Sequence, residues 1–419
     1  MLFPRAPAAA TAFCLALAGC GDQTAVEPQV SRVLVSPAKA LLVGVGDGMS
    51  FSADPQGPNG QSVNATVTWS TGDPAIATVN ASGFVTAVAA GTTGVTATAG
   101  GASATAELEV YVRERIARYE PGVSYFGRNE YVEYIPGELP VILSAPHGGL
   151  LAPREISDRG YGVTSNDTNT LDLTLRVRQA LIDLTGYAPH MILSHLRRVK
   201  LDPNREIGEA AQDDPYAELA WNEFHDWIVT ARSIVTSQFG EGMYFDIHGH
   251  AHDIARIELG YLLTSDELNR TDAALDGLPT VRRSSIREIG RTTTIPFSRV
   301  LRGPTSFGGL LAEEDVPSVP SPADPGPGAA PYFRGGYNTR VHGSVGDGEV
   351  ISGIQLEHHY AGIRDTEENR RAYAEKAARV IREFMMEHFG FFEPAADPAS
   401  PRQQPSPRTT VSNNAITGH

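Results

Sequence analysis

The chain has 419 residues, too many for one typical domain, and its 41% hydrophobic and 20% charged residues are the balance of a globular protein. A formal charge of -15, with no run of lysines or arginines, excludes a general nucleic-acid binder, which needs basic surface to neutralise phosphates. Beyond that the acidity implies only solubility and little attraction to anionic surfaces.

Near the N-terminus Arg5 precedes "AAATAFCLALAGC", an apolar stretch too short to span a bilayer as a folded helix. Its end, "LAGC", resembles the bacterial lipobox. The resemblance implies that residues 1–20 are a signal peptide, that Cys20 is the lipidated first residue, and that Cys14 leaves with the signal. An ordinary secretory signal is the alternative. Either way the chain is expected to be exported, without a cysteine pair for a disulfide. Lipid alone would then hold it at the bacterial cell envelope, in the outer membrane or periplasm or at the cell surface.

Residues 21–30 read as a tether. From 31 to 112 Val, Thr, Ala and Gly dominate, and "VTWSTGDPAIATVNASGFVTAVAAGTTGVTATA" alternates apolar and polar residues in runs broken by Gly, Asn and Asp-Pro. That pattern predicts hairpin-linked strands in a small sandwich. The segment closely resembles the bacterial immunoglobulin-like group 2 domain, with Trp69 as its core tryptophan. It offers no histidine and no catalytic cluster, which leaves a spacer or a contact with a cell-surface polymer.

From 113 to 394 strand-like and helix-like stretches alternate. "PVILSA", "MILSHL", "MYFDIH", "IELGYLL" and "VISGIQLE" are short apolar runs suited to buried strands. "TLDLTLRVRQALIDLTG" and "YAELAWNEFHDWIVTARSIVTSQFG" space apolar residues three and four apart and end at Gly186 and Gly240. "DTEENRRAYAEKAARVIREFMMEHFG" opens with Asp365 and Glu368 at capping-box spacing and closes at Gly390. Such alternation predicts an α/β sheet with helices on both faces. "VPSVPSPADPGPGAAP", residues 316 to 331, reads as a long irregular insert, and residues 395–419 as a disordered tail.

Four polar clusters follow strand-like runs, where ligands of open α/β sheets sit: "APHGG", "LDPNR", "DIHGH" and "LEHH". In order, "SAPHGG", "NDTNT", "LDPNR", "DIHGH", "YFRGGYNTRVHGS" and "GIQLE" resemble the N-formylglutamate amidohydrolase family, related to zinc carboxypeptidases and aspartoacylases. The resemblance spans roughly residues 138 to 385. It implies a mixed central sheet, one zinc ion, and hydrolysis of an amide in a carboxylate-bearing substrate, an N-acyl amino acid or a peptide.

His147 and His248 follow buried strands, and a neutral imidazole there is a natural zinc ligand. Zinc carboxypeptidases take a glutamate three residues after the first histidine, but Leu150 holds that position. Asp167, where the next helix begins, is the substitute, with Glu155 and His250 as competitors and a helix N-cap as its ordinary role. Asp246 reads as a supporting or a catalytic carboxylate. By resemblance Glu357 is the general base, taking a proton from water and passing it to the leaving amine. Asn204 and Arg205 match the pair that holds a substrate carboxylate, Arg205 through its planar fork. Arg334, Tyr337, Arg340 and His342 could line the pocket. Gly249 is expected to break the strand, leaving His250 and His252 on a loop.

Two other readings remain. His248 and His250 could form the His-x-His of a barrel-type metal amidohydrolase, although that motif comes late here. The chain could also be a surface-anchored binding lipoprotein with an inactive hydrolase-like domain. No Gly-x-Ser-x-Gly elbow, His-Glu-x-x-His helix or phosphate-binding Gly-Lys loop occurs.

Overall fold

The computed structural model describes residues 29–392, and the chain divides after Val112 into two units. Cys20 and the tail from 395 lie outside the described residues.

The N-terminal unit is all strand. β1 (Arg32–Ser36) pairs with β4 (Ser52–Gln56). β2 (Lys39–Val43), β9 (Ala102–Tyr111), β8 (Gly91–Ala99) and β5 (Thr68–Thr71) form a second sheet in that order. β3 (Gly48–Ser50), β7 (Phe84–Ala87) and β6 (Ala77–Val79) form a third. Burial alternates along β8 and β9 as the sequence pattern requires. Leu42, Val95 and Leu108 from the second sheet meet Ala77 and Val85 from the third in one core, and Trp69 packs against it.

The turn "NASG" explains why this stretch of sequence is so particular. Asn80 Oδ1 accepts from the Ser82 and Phe84 amides at 3.0 Å each, which closes the turn. Gly83 sits at φ +82, and a Cβ there would lie 2.6 Å from Phe51 O and 2.9 Å from Trp69 Cε2. Gly83→Ala is therefore expected to destabilise this unit by at least about 1–2 kcal/mol from the left-handed backbone alone. Calorimetry of the full chain checks it, and an unchanged transition would contradict it.

The C-terminal unit is built on one mixed eight-stranded sheet. Its strands are β10 (Tyr125–Phe126), β11 (Val132–Ile135), β12 (Val141–Ala145), β13 (His190–Ser194), β14 (Gly242–His250), β15 (Ile257–Gly260), β16 (Ser318–Val319) and β17 (Ile351–His359), in the order β10-β11-β13-β12-β14-β17-β15-β16. The central strands β13, β12, β14 and β17 run parallel, while β11 and β15 join them antiparallel. β12 is buried at every position, as a strand covered on both faces must be.

The helices are α1 (Thr170–Thr185), α2 (Ile207–Ala211), α3 (Pro215–Phe239), six short helices α4 (Ser265–Leu268), α5 (Asp272–Leu275), α6 (Leu278–Arg283), α7 (Arg287–Thr292), α8 (Phe297–Arg302) and α9 (Phe307–Glu313), then α10 (Tyr337–His342) and α11 (Glu367–Phe389). α1 and α11 pack together, and the stack Phe245, Phe307, Phe384 places α9 and α11 on one face of the sheet. Tyr244 points the other way, against His342 of α10, which stacks on His225 of α3. The polar residues Asp246 and His248 alternate onto this second face.

Three expectations change. β14 does not stop at Gly249: its ladder with β17 continues through His250 and His359, and the Arg364 guanidinium occupies the space where a Cβ at Gly249 would lie, 2.2 Å from its carbon. The cap of α11 is Thr366, whose hydroxyl accepts from Asn369 N, and not Asp365. Asp365 instead accepts from Gly362 N at 3.0 Å and fastens the preceding turn. The Pro-rich insert is partly regular, since Ser318 and Val319 add the edge strand β16 to β15.

Candidate metal centre

Three parallel neighbours, β12, β14 and β17, bring their carboxyl ends to one edge of the sheet. His147 follows β12 by two residues, and His248 and Glu357 stand opposite each other on β14 and β17. Asp167 reaches the same point from the loop before α1. The N-cap of α1 is Asn169, so Asp167 has no capping duty, and its Oδ2 lies 3.2 Å from both His147 Nδ1 and His248 Nδ1. The Gly249 amide also donates to that oxygen, at 3.1 Å. All three side chains are buried.

Each imidazole is held from behind. His147 Nε2 meets Asp202 Oδ1 at 2.6 Å, and His248 Nε2 meets Asp246 Oδ2 at 2.7 Å. An imidazole whose Nε2–H donates to a carboxylate carries its lone pair on Nδ1. Two such lone pairs and the Asp167 oxygen then converge on one spot, which only a proton or a metal ion can reconcile. Tetrahedral zinc with bonds of about 2.1 Å puts neighbouring donors roughly 3.4 Å apart, close to the spacing seen here. The donor set and its spacing fit a zinc ion.

The charge balance agrees. Five buried carboxylates, Asp167, Asp202, Asp246, Glu258 and Glu357, lie in and around the site, against four buried guanidiniums, Arg159, Arg198, Arg256 and Arg364. Burial favours an uncharged His248, but the Asp246 and Asp167 carboxylates outweigh it and hold its pKa well above the usual imidazole range. Burial likewise disfavours ionised Asp167 and Asp202. The neighbouring imidazoles, and for Asp202 also Arg198, hold both below the ordinary carboxylate range. Without metal the site takes a proton in its place.

Glu357 differs. Burial first, and then the nearby Asp167 and Glu258 carboxylates, push its pKa up to about 7 against the pull of His248. Gln355 Nε2 donates to its Oε1 at 2.8 Å and fixes its orientation.

Other candidates divide. Asn204 is close, but its amide is engaged: Oδ1 accepts from Asn338 N at 2.9 Å, and Nδ2 donates to Gln355 Oε1 at 3.3 Å and lies 3.3 Å from His248 Nε2. Its side-chain amide thus ties α10 and β17 to the imidazole of His248. Arg205 is half-buried, with Nε on Glu209 and Nη1 on the Asn204 carbonyl. Its carbonyl accepts from Trp221 Nε1, whose ring lies 5.7 Å from Tyr337. Arg340 stands over Tyr337 but pairs with Glu206 on the surface. His342 is buried against His225, 2.8 Å from its Nδ1. Arg334 is exposed and, among the described residues, makes no side-chain hydrogen bond or ion pair. Its segment runs from Glu258, which accepts from Phe333 N at 2.7 Å, to Gly336 beside Asn204. Glu155, the competing ligand, is bound by Arg128 at 2.7 Å and by Asn129 at 3.0 Å, away from both histidines.

Sequence reasoning passed over Asp202, Arg198 and Arg364. Asp202 lies inside "LDPNR", where the following Asn and Arg drew attention. Arg198 donates to Asp202 at 2.9 Å and to Asp167 at 3.3 Å. Arg364 donates to the carbonyls of His358, Thr168 and His250, tying the ends of β17, the Asp167 loop and β14 together. Replacing it by Met strands two buried carbonyls, those of His358 and His250, each worth about 1 kcal/mol or more, and frees the part-buried one of Thr168. Arg364→Met is expected to lose at least about 2 kcal/mol of stability by that count, and urea unfolding showing a loss under about 0.5 kcal/mol, the size of an ordinary surface change, would contradict this.

Residues 29–110 match the family model of the bacterial Ig-like domain (group 2). No curated protein matches the sequence. Domains 4 and 5 of the S-layer protein SbsC align at 20% identity and TM-score 0.19 over 20% of this chain, which spans only 53% of that fragment. An N-formylglutamate amidohydrolase from Ralstonia eutropha JMP134 aligns at 14% identity and TM-score 0.38, covering 61% of this chain and 97% of its own. A gene product of Agrobacterium tumefaciens aligns at 13% identity and TM-score 0.37, covering 62% and 97%. The chain thus joins a bacterial Ig-like segment to an α/β unit.

Proposed function

We propose that the C-terminal unit is a zinc-dependent hydrolase that cleaves an amide bond in a carboxylate-bearing substrate, an N-acyl amino acid or a peptide. The observation that carries this reading is the convergence of His147 Nδ1, His248 Nδ1 and Asp167 Oδ2, with Asp202 and Asp246 each behind an imidazole. Zinc bound there would polarise the amide carbonyl and make water reactive near neutral pH.

The protein's own groups do the rest. Glu357, buried and held by Gln355, takes a proton from the attacking water and delivers it to the leaving amine. Asp202 and Asp246 hold the imidazole tautomers that face the ion. Arg205 and the unpaired, exposed Arg334 are cations available for a substrate carboxylate, with Tyr337 against the Trp221 ring that donates to the Arg205 carbonyl. Asn204, assigned from sequence to that carboxylate, acts instead as a brace.

An envelope location fits this reading. It rests on the "LAGC" signal with Cys20 as lipid anchor, and on the Ig-like segment as a spacer or polymer contact. No described helix is long and apolar enough to cross a membrane.

The full chain is expected to bind zinc, and His147→Ala and His248→Ala each to lose about one ion per chain. Asp202→Asn should weaken zinc binding by about 10–100-fold, read by competition with a chromophoric chelator. Glu357→Gln should keep its zinc yet lower kcat on the best N-acyl amino acid or peptide by about 10²–10⁴. No zinc uptake by the wild-type chain would sink the hydrolase reading and favour a surface-anchored binding protein.

A further inference from the structure

His250, His252 and Glu258 take no part in the chemistry above, yet they form a second group of donors. His250 lies two residues beyond His248 on β14, so it shares that strand's polar face. Glu258 stands on β15 opposite Glu357. One donor atom from each of His250, His252 and Glu258 lies within 4.8 Å of the other two. Glu258 Oε1 is 2.8 Å from His252 Nδ1 and 4.0 Å from His250 Nδ1.

Two features set this group apart from an ordinary buried hydrogen-bond network. Glu258 is fully buried, and among the described residues no lysine or arginine pairs with it. A carboxylate so placed needs a cation beside it. His250, in turn, is oriented as metal-bound histidines are: its Nε2–H donates to the Arg256 carbonyl at 2.8 Å, which turns Nδ1 toward the other two donors. Nδ1 accepts the His252 amide at 3.1 Å, a contact an ion would replace. His252 is partly exposed and stacks on Phe333 at 4.7 Å, which leaves the group reachable from solvent.

We infer that His250, His252 and Glu258 form a second divalent-metal site, suited by its two imidazoles and one carboxylate to zinc. The other oxygen of Glu258 accepts from Phe333 N at 2.7 Å, one residue before the free Arg334. An ion here adds positive charge to the rim where a substrate carboxylate would lie, and steadies the segment that carries Arg334. The inference does not depend on the assignment of the first centre.

The test is zinc content of the full chain after chelator treatment and dialysis against zinc sulfate, with folding checked by circular dichroism. About two ions are expected per wild-type chain and about one each in His252→Ala, Glu258→Gln and His147→Ala, with none in His147→Ala combined with His252→Ala. His252 is partly exposed and Gln keeps the shape of Glu258, so both variants should stay folded. Zinc content unchanged from wild type in both His252→Ala and Glu258→Gln overturns the inference. Failure of the first centre reads separately, as a His147→Ala variant that keeps all of the wild-type zinc.

Discussion

One carboxylate oxygen, Oδ2 of Asp167, sits 3.2 Å from two imidazole nitrogens contributed by segments 20 and 81 residues away in sequence. To hold it there the protein must bury a charge, and Arg198, the Gly249 amide and the two histidines compensate it together. The parallel run of β12, β14 and β17 makes this possible. Parallel strands point their carboxyl ends the same way, so His147, His248 and Glu357 need only modest loops to meet.

The electrostatics follow from that burial. Two carboxylates, Asp202 and Asp246, sit behind the imidazoles and are held ionised, while Glu357, lacking a cation in contact, is pushed the other way. Environments that separate neighbouring carboxylates in this manner are what acid–base chemistry needs. The same excess of carboxylate over guanidinium calls for a cation, and the imidazoles point their free nitrogens to where it would sit.

Much of this was legible in the sequence. His147, His248 and Glu357 follow or end apolar runs suited to buried strands, and the polar residue at a strand end is where a site belongs. Asp167 could be singled out because it precedes a helix, although its capping role proved to be Asn169's place. The supports were not legible, for a plain reason: His147 and Asp202 are 55 residues apart, and Arg364 joins carbonyls more than 100 residues upstream. Local pattern carries no information on such pairs. Gly249 misled for the opposite reason, since its propensity to end a strand was overridden by a ladder with β17 that runs on to His359. Asn204 was legible as a site residue but not as a brace, because only the fold shows that its amide is already spent on Asn338 and Gln355.

The most direct measurement is anomalous diffraction at the zinc edge from crystals of the full chain grown with zinc. The account predicts an anomalous peak bonded to His147 Nδ1, His248 Nδ1 and Asp167 Oδ2, with Asp202 and Asp246 still on the outer nitrogens. An absence of density there, with Asp167 still hydrogen-bonded to both imidazoles, would contradict it.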